Sequence, residues 1–393
     1  MLPTHFENAL PVLKKLEEAG YQAYFVGGAV RDLLMKRPTN DVDIATSALP
    51  EEVKAVFPKT IDVGIEHGTV VVIFNETPYE ITTFRSEEEY KDFRRPESVT
   101  FITSLKEDLQ RRDFTINAIA MDSSGGIHDP FGGESDIHAK IIRTVGSAEE
   151  RFKEDALRMM RAVRFMAQLD FEMESETLES VRRNGANIRF VAIERLSAEF
   201  EKLLSGSFKK ASIASLVATG LYKYLPALQR KVLESAASLP VNRLTNEQMW
   251  LLVSFLSKGE ENLMEHWRLP SKKIKYISKA VKFLSGRMER EWDRYTLYLA
   301  GISTAYDVEE VYRVLKLSDQ TGRAELEKLY DELPIRNRGE LAVTGNDLMK
   351  WSGKSGGPWI KEILDNTEKA VINSIIPNQK STIREWLGLC NHQ

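Results

Sequence analysis

From about residue 148 onward the apolar residues recur at helical spacing almost without interruption, so the sheet this chain forms must come from its first 147 residues. The stretches SAEERFKEDALRMMRAVRFMAQL, AIERLSAEFEKLLS and SKKIKYISKAVKFLS carry that spacing. Breaks fall at Gly185, Gly206, Pro226, Pro240, Pro270, Gly301 and Pro334. The first part reads differently. Short β-type runs (AYFVGG, DVDIAT, GTVVVIF, YEITTF) alternate with turns, and helical spacing appears only in ALPVLKKLEEAG and LPEEVKAVF. GTVVVIF and YEITTF, separated by Asn75-Glu76-Thr77-Pro78, predict a hairpin with a four-residue connection. A chain of 393 residues is too long for one ordinary core and implies two to four domains, with no internal repeat of constant period.

The hydrophobic fraction of 42% and charged fraction of 28% are those of a soluble globular protein. No apolar run approaches the roughly 20 residues that cross a bilayer. The N-terminal segment carries Glu7, Glu17 and Glu18 among its apolar positions, which predicts an amphipathic helix rather than a signal peptide. The single cysteine, Cys390, excludes an internal disulfide and a cysteine-based zinc site, and fits a reducing cytoplasm. A net charge of −4 means that a nucleic-acid ligand needs a local basic surface. The run from Arg268 to Arg294 offers one, with Lys272, Lys273, Lys275, Lys279, Lys282, Arg287 and Arg290 between its ends. A solvated helical face would look the same.

The densest chemistry lies in Val26-Gly27-Gly28-Ala29-Val30-Arg31, continuing to Asp41-Val42-Asp43-Ile44. An apolar strand runs into two glycines and then a short helix. Gly28 lets the backbone approach an anion closely, the helix N-terminus offers free N–H groups, and Arg31 adds a fixed charge for a triphosphate. In a strand, residues i and i+2 share a side, so Asp41 and Asp43 face one point while Val42 and Ile44 face the core. Two carboxylates so placed repel unless a cation sits between them, and hard oxygen ligands select Mg²⁺. Two such ions could activate an attacking 3′-hydroxyl and neutralise a leaving pyrophosphate. Asp-x-Asp alone would equally fit an exposed strand edge; the upstream Gly-Gly at this spacing decides for the metal reading.

Two further segments bear on nucleotide binding. In Arg111-Arg112-Asp113-Phe114-Thr115-Ile116-Asn117-Ala118, Arg112 can pair with phosphate and Asp113 can accept from ribose hydroxyls. In Glu154-Asp155-Ala156-Leu157-Arg158, continuing through Arg161 and Arg164, Asp155 and Arg158 are three apart and would share one helical face. Arg158 can donate to O2 and N3 of cytosine while Asp155 accepts from its exocyclic amine. Adenine also offers an amine to that carboxylate, whereas guanine and uracil present carbonyl oxygens there. On a continuous helix Arg164 turns to lie roughly opposite Asp155, so phosphate contact or packing suits it better than base contact. His128-Asp129 lacks the additional His and Asp ligands of a metal phosphohydrolase. Gly353-Lys354-Ser355 fails as a phosphate-binding P-loop because Leu348 stands where its first glycine belongs.

The Gly-Gly, short helix and Asp-x-Asp strand resemble the polymerase β nucleotidyltransferase superfamily. The longer GGAVRDLLMKRPTNDVDIAT is similar to motif A of the class II tRNA nucleotidyltransferases and bacterial poly(A) polymerases. RRDFTINA resembles that group's ribose-recognition motif, and DPFGG also matches. Glu154-Asp155-x-x-Arg158 resembles its EDxxR motif, in which the acid and the arginine act as a protein template. The family assigns nucleotide contacts to arginines at the positions of Arg161 and Arg164 as well. Thr344-Gly345-Asn346-Asp347-Leu348 and SGGPWI resemble the C-terminal region of bacillus-type CCA-adding enzymes.

The resemblance implies an α+β fold: an N-terminal mixed-sheet nucleotidyltransferase head followed by an elongated all-helical neck, body and tail. The corresponding domains are 1–147 for the catalytic head, 148–205 for the base-recognising neck, 206–269 for the body and 270–393 for a tRNA-binding tail. It further implies addition of C, C and A to tRNA from CTP and ATP with Mg²⁺ as cofactor, in a cytoplasmic homodimer. Alternatives within the class are CC-adding or A-adding enzymes and poly(A) polymerases. Where poly(A) polymerases carry a Gly-Arg-Arg-Phe-like segment, this chain has Ile61-Asp62-Val63-Gly64-Ile65-Glu66-His67-Gly68-Thr69. The charged stretch Arg85 to Arg95 resembles the flexible loop that CC-adding enzymes lack. A catalytically silent RNA-binding module is disfavoured, because unused paired carboxylates cost stability. Glu80, on the YEITTF run, is the candidate third carboxylate or general base.

Overall fold

A computed structural model describes residues 2–389 apart from 40, 64, 88–89, 92–94, 97–98, 259–261 and 319–321. Cys390 and the centre of the charged loop (Glu88, Glu89, Asp92, Phe93 and Arg94) lie outside the described residues. Two compact units are present, Met1–Ala237 and Ser238–Gln393.

The first unit opens with the expected amphipathic helix, α1 (Thr4–Glu18), which buries Phe6, Ala9, Val12, Leu13 and Leu16 on one face. A seven-stranded sheet follows, in the order β7-β6-β1-β2-β5-β4-β3. Its strands are β1 (Ala23–Val26), β2 (Asp43–Thr46), β3 (Thr60–Asp62), β4 (Thr69–Phe74), β5 (Thr77–Thr83), β6 (Ala120–Met121) and β7 (Ile127–His128). Only the β2–β5 pair is parallel, so the sheet is mixed, as expected. Both faces are covered, and the strand alternation shows how. Phe25, Ile44, Val70, Val72 and Ile81 join α1 in one core, while Val26, Ala45 and Ala120 enter a second core with Phe84, Leu109 and Val145.

The β4–β5 connection differs from expectation. It is a two-residue turn, Asn75-Glu76, with φ of 47° and 64°, and Phe74 pairs directly with Thr77. Two consecutive left-handed residues match the twist of the flanking strands, which a four-residue loop need not do. Pro78 is tolerated within β5 because β2 reaches only Ile81–Thr83. The proline therefore falls where the strand has a single neighbour.

Helices α2 (Gly28–Leu34), α3 (Pro50–Val56), α4 (Leu105–Gln110) and α5 (Gly133–Ala139) decorate the sheet. From α6 (Ala148–Glu154) and α7 (Leu157–Leu169) onward the unit is helical, through α8 (Ser175–Asn184) and α9 (Ile193–Leu204), apart from a two-residue bridge at Glu172–Met173. Ala162, Phe165 and Leu169 of α7 enter the core under the sheet, joining the helical segment to the strands. The second unit contains helices and no strand among its described residues. Its longest helix, Ser271–Glu289, buries Ile277, Ala280 and Leu284. No helix among the described residues is long and apolar enough to cross a membrane.

Candidate active site

The sheet register builds the first part of the site. Val26 at the end of β1 pairs with Asp43, and Ile44 pairs with Ile81, so Glu80 comes alongside Asp43 on the neighbouring strand. Val42 and Ile44 are buried while Asp41 and Asp43 are exposed, as strand alternation required. Gly27, at φ +71°, turns the chain from β1 into α2, and a Cβ there would meet an Arg112 Nη1 at 3.0 Å. Its left-handed conformation demands glycine, and a side chain there would press on the Arg112 guanidinium. Partial desolvation raises the pKa of Asp43. The negative charges of Glu80 and Asp41 add to the rise, and Arg112 opposes it. This is a carboxylate edge in which the negative neighbours of Asp43 are opposed by Arg112, and its hard oxygen donors suit a divalent cation. Among the described residues no three His, Cys, Asp or Glu side chains converge tightly enough to hold a metal unaided.

Asp43 opens onto a cleft of about 720 Å³ lined by Gly27, Gly28 and Phe165, by Asp113 and Asp155, and by Arg31, Arg85, Arg111, Arg112, Arg158, Arg161, Arg164 and Arg195. Eight arginines against three aspartates make it a receptor for a polyanion. Arg31, in α2, is buried and donates from Nη1 to Asn117 Oδ1 at 2.7 Å and from Nε to Asp32 at 2.9 Å. Phe165 serves as a platform for three guanidinium groups. Arg164 stands 3.9 Å from its ring centre, Arg31 5.2 Å and Arg161 5.7 Å.

The segment 111–117 is held by acids that spend their charge internally. Arg111 and Arg112 both donate to buried Asp108, at 2.9 and 3.1 Å. Burial raises the Asp108 pKa, but the two guanidinium charges outweigh it and hold the group below its ordinary value. Asp113 follows the same logic. Its burial is outweighed by the charge of Arg161 and by hydrogen bonds from Asn117 and Arg161, which bring it to about 2. Asp113 Oδ1 accepts from the Phe114 and Asn117 nitrogens and Oδ2 from Arg161 Nε at 2.7 Å, so it orients an arginine toward the cleft.

The expected helix through Asp155 and Arg158 is corrected. α6 ends at Glu154, Asp155 is extended at φ −136°, ψ 103°, and α7 begins at Leu157. Asp155 Oδ1 accepts from the Leu157 amide at 3.0 Å, a local side-chain turn that stands in place of helical hydrogen bonding between α6 and α7. The two residues do not pair with each other. Asp155 is bound by Arg195 of α9, with Nη2 at 2.7 Å from Oδ2 and Nη1 at 3.4 Å from Oδ1. Arg158 pairs with Glu154 and donates to the Arg151 and Arg111 carbonyls, each at 3.1 Å. The break also cancels the angular argument about Arg164. That residue lines the cleft and forms a 2.5 Å ion pair with buried Glu199.

The structure thus brings Gly28, Arg31, Asp43, Arg112, Asp113, Asp155, Arg158, Arg161 and Arg164 to one cleft, with Asp41 beside Asp43. Sequence reasoning missed Arg195, Glu199, Phe165 and Asp108. One signal was available: Glu199 falls in step with Leu196 and Leu203 on the buried face of α9, where an unpaired charge would not be tolerated. His128 and Asp129 are structural. His128 bonds Asp122 at 2.9 Å, and Asp129 accepts from the amides of Gly133 and Glu134 at the start of α5.

Comparison with known proteins identifies the family of the chain. Residues 23–143 match the family model of the poly A polymerase head domain. Residues 170–231 match the probable RNA and SrmB-binding site of polymerase A, and 243–387 match tRNA nucleotidyltransferase domain 2 (putative). A CCA-adding enzyme of Geobacillus sp. (strain WCH70) is 48% identical over 389 residues, covering 97% of this chain and 96% of the relative. A CCA-adding enzyme of Bacillus mycoides (strain KBAB4) is 45% identical, covering 98% and 99%. The crystal structure of the Bacillus stearothermophilus CCA-adding enzyme in complex with CTP superposes with a TM-score of 0.92 at 45% identity, covering 98% of this chain and 97% of that one.

Proposed function

This chain belongs to the CCA-adding enzyme family, and from that premise we propose that its cleft adds C, C and A to the 3′ end of tRNA from CTP and ATP without a nucleic-acid template. The observation that carries this reading is the union, in one cleft, of Asp43, eight arginines and the Asp155–Arg158 pair. The tRNA 3′-oxygen attacks the α-phosphorus, the bond from that phosphorus to the β-bridging oxygen breaks, and pyrophosphate leaves. Gly28, Arg31, Arg112, Arg161 and Arg164 bind and orient the triphosphate and ribose, with Asp113 holding Arg161. Asp41 and Asp43 hold divalent cations, taken as Mg²⁺, which supply charge neutralisation for the nucleophile and the leaving pyrophosphate. Glu80, beside Asp43 in register, is the third carboxylate and the candidate acceptor of the 3′-hydroxyl proton. Asp155 accepts from the base amine and Arg158 donates to the base acceptors, so C and A are kept while G and U are refused.

The head, neck, body and tail are assigned to 1–147, 148–205, 206–269 and 270–393. Starts of α6 just after Ser147 and of the long helix just after Pro270 support two of these boundaries. On the helix Ser271–Glu289, exposed Lys272, Lys275 and Lys282 follow one face at helical spacing and are assigned to tRNA phosphates, while Lys279 donates to the Ala300 carbonyl at 2.9 Å. Arg287 and Arg294 are spent instead on Glu309 and Glu332. Family resemblance also supports a cytoplasmic homodimer.

The test is product sequencing with tRNA lacking its 3′ end, supplied with Mg²⁺ and CTP alone, ATP alone, or both. Growth by CC with CTP and by CCA with both is expected. Growth only by A onto tRNA ending in CC would make this an A-adding enzyme, and no incorporation would sink the catalytic reading.

A further inference from the structure

We infer that Arg195 is the positioning residue for base selection: its guanidinium, brought in from α9, clamps Asp155 in the orientation that reads the incoming base. This rests on the proposed reading of Asp155 and Arg158 as the template pair.

Asp155 stands at a break between two helices, so no helical repeat holds its side chain. A short carboxylate at such a hinge has a ready partner in the arginine three residues on. If Asp155 and Arg158 closed on each other, they would face one another and not the edge of a base. The structure prevents this with cross-pairing. Arg195 Nη2 and Nη1 grip the two Asp155 oxygens, and the Leu157 amide holds Oδ1 as well. Arg158 is drawn the other way, by Glu154 and the carbonyls of Arg111 and Arg151. The two reading groups therefore stand in the same cleft, each with its own counter-charge.

Arginine suits this task because its planar fork fixes the carboxylate in two directions at once, which a lysine ammonium cannot do. The carboxylate so held presents acceptor oxygens to the amine shared by cytosine and adenine. Arg195 is 40 residues from Asp155 in sequence, so the arrangement exists only once α9 has packed beside α7. Side-chain exposure of 16% for Asp155 and 33% for Arg195 leaves the pair open to the cleft, where a base can reach the acid.

The experiment measures kcat/KM for CTP, ATP, UTP and GTP on tRNA lacking its 3′ end. It compares wild type with Arg195→Ala, Arg195→Lys, Asp155→Ala and the double variant Asp155→Ala/Arg195→Ala, with thermal unfolding of each. For Arg195→Ala, preference for CTP over UTP should fall by about tenfold or more, with Arg195→Lys in between. In the double variant, selection should be no worse than in Asp155→Ala alone, because Arg195 acts through Asp155. Equal loss for all four nucleotides in Arg195→Ala and Arg195→Lys would overturn the inference. Additive losses in the double variant would also overturn it, since Arg195 would then act independently of Asp155. Should Arg195→Ala unfold, unchanged selection in a folded Arg195→Lys is enough to reject it. Failure of wild type to prefer CTP and ATP would instead reject the template reading itself.

Discussion

The carboxylate edge at Asp41, Asp43 and Glu80 and the reading groups at Asp155 and Arg158 treat charge in opposite ways. At the edge, register places like charges side by side, and desolvation together with Glu80 drives the Asp43 pKa up against the single opposing charge of Arg112. Around the neck each acid already has an arginine: Asp155 and Asp113, which line the cleft, have Arg195 and Arg161, and buried Glu199 has Arg164. The edge is thus built to gain a cation, whereas the neck is built to keep its geometry whatever enters. On the proposed reading, chemistry belongs to the first arrangement and discrimination to the second.

Breaking the edge should have the largest effect. Asp43→Ala and Asp41→Ala are each expected to lower transfer by at least about 10³-fold while leaving nucleotide binding largely intact, since the arginines remain. Binding lost in step with turnover, read by nucleotide titration beside single-turnover kinetics, would contradict the division between edge and neck. Glu80→Gln keeps the shape and removes one charge, and a loss on the order of 10² is expected if it serves as third ligand or base. A fully active Glu80→Gln would reduce the edge to two carboxylates.

Altering the neck should change choice more than rate. Asp155→Ala and Arg158→Ala are each expected to erode selection against UTP and GTP by one to two orders of magnitude, roughly, with a smaller change in tRNA affinity. Competition assays with all four nucleotides check this. Variants that still exclude U and G would leave the neck with a structural role only.

The edge was far more legible in the sequence than the neck, and the reason is range. Strand alternation is a two-residue rule, so Val42 and Ile44 inward and Asp41 and Asp43 outward could be read directly. Glu80 was only a candidate on its strand, because the β2–β5 pairing that brings it beside Asp43 joins segments far apart in sequence. The hairpin was legible, but its turn was miscounted because Thr77-Pro78 looks like loop and is strand. At the neck the singled-out residues line the cleft, but their partners are not those that spacing suggested. No glycine or proline marks the break at Asp155, where its own side chain bonds the Leu157 amide in a local turn. The true partners, Arg195 and Glu199, lie 40 and 35 residues along from Asp155 and Arg164, and pairing over that distance is set by packing of α9, which local spacing does not encode.

Asp113 permits the mildest and most controlled test of the contrast, because protons replace mutation. Its pKa of about 2 lies below the ordinary 3.8, since the Arg161 charge and the Asn117 and Arg161 hydrogen bonds outweigh the opposing effect of burial. A depressed carboxylate stabilises the fold at pH above its unfolded value, and that stabilisation disappears as pH falls from about 4 through 2. The full contribution is roughly 2 kcal/mol. Asp113→Asn lacks the titrating group, so its stability deficit relative to wild type should be largest near neutral pH and shrink steadily between pH 4 and 2. Urea unfolding of both proteins at pH 6, 4, 3 and 2 measures the gap directly, with acid losses common to all other carboxylates cancelling in the difference. A gap independent of pH would mean that Asp113 is held by shape and not by charge, and the neck's arginines would then lose their claim to be fixed electrostatically in advance of the substrate.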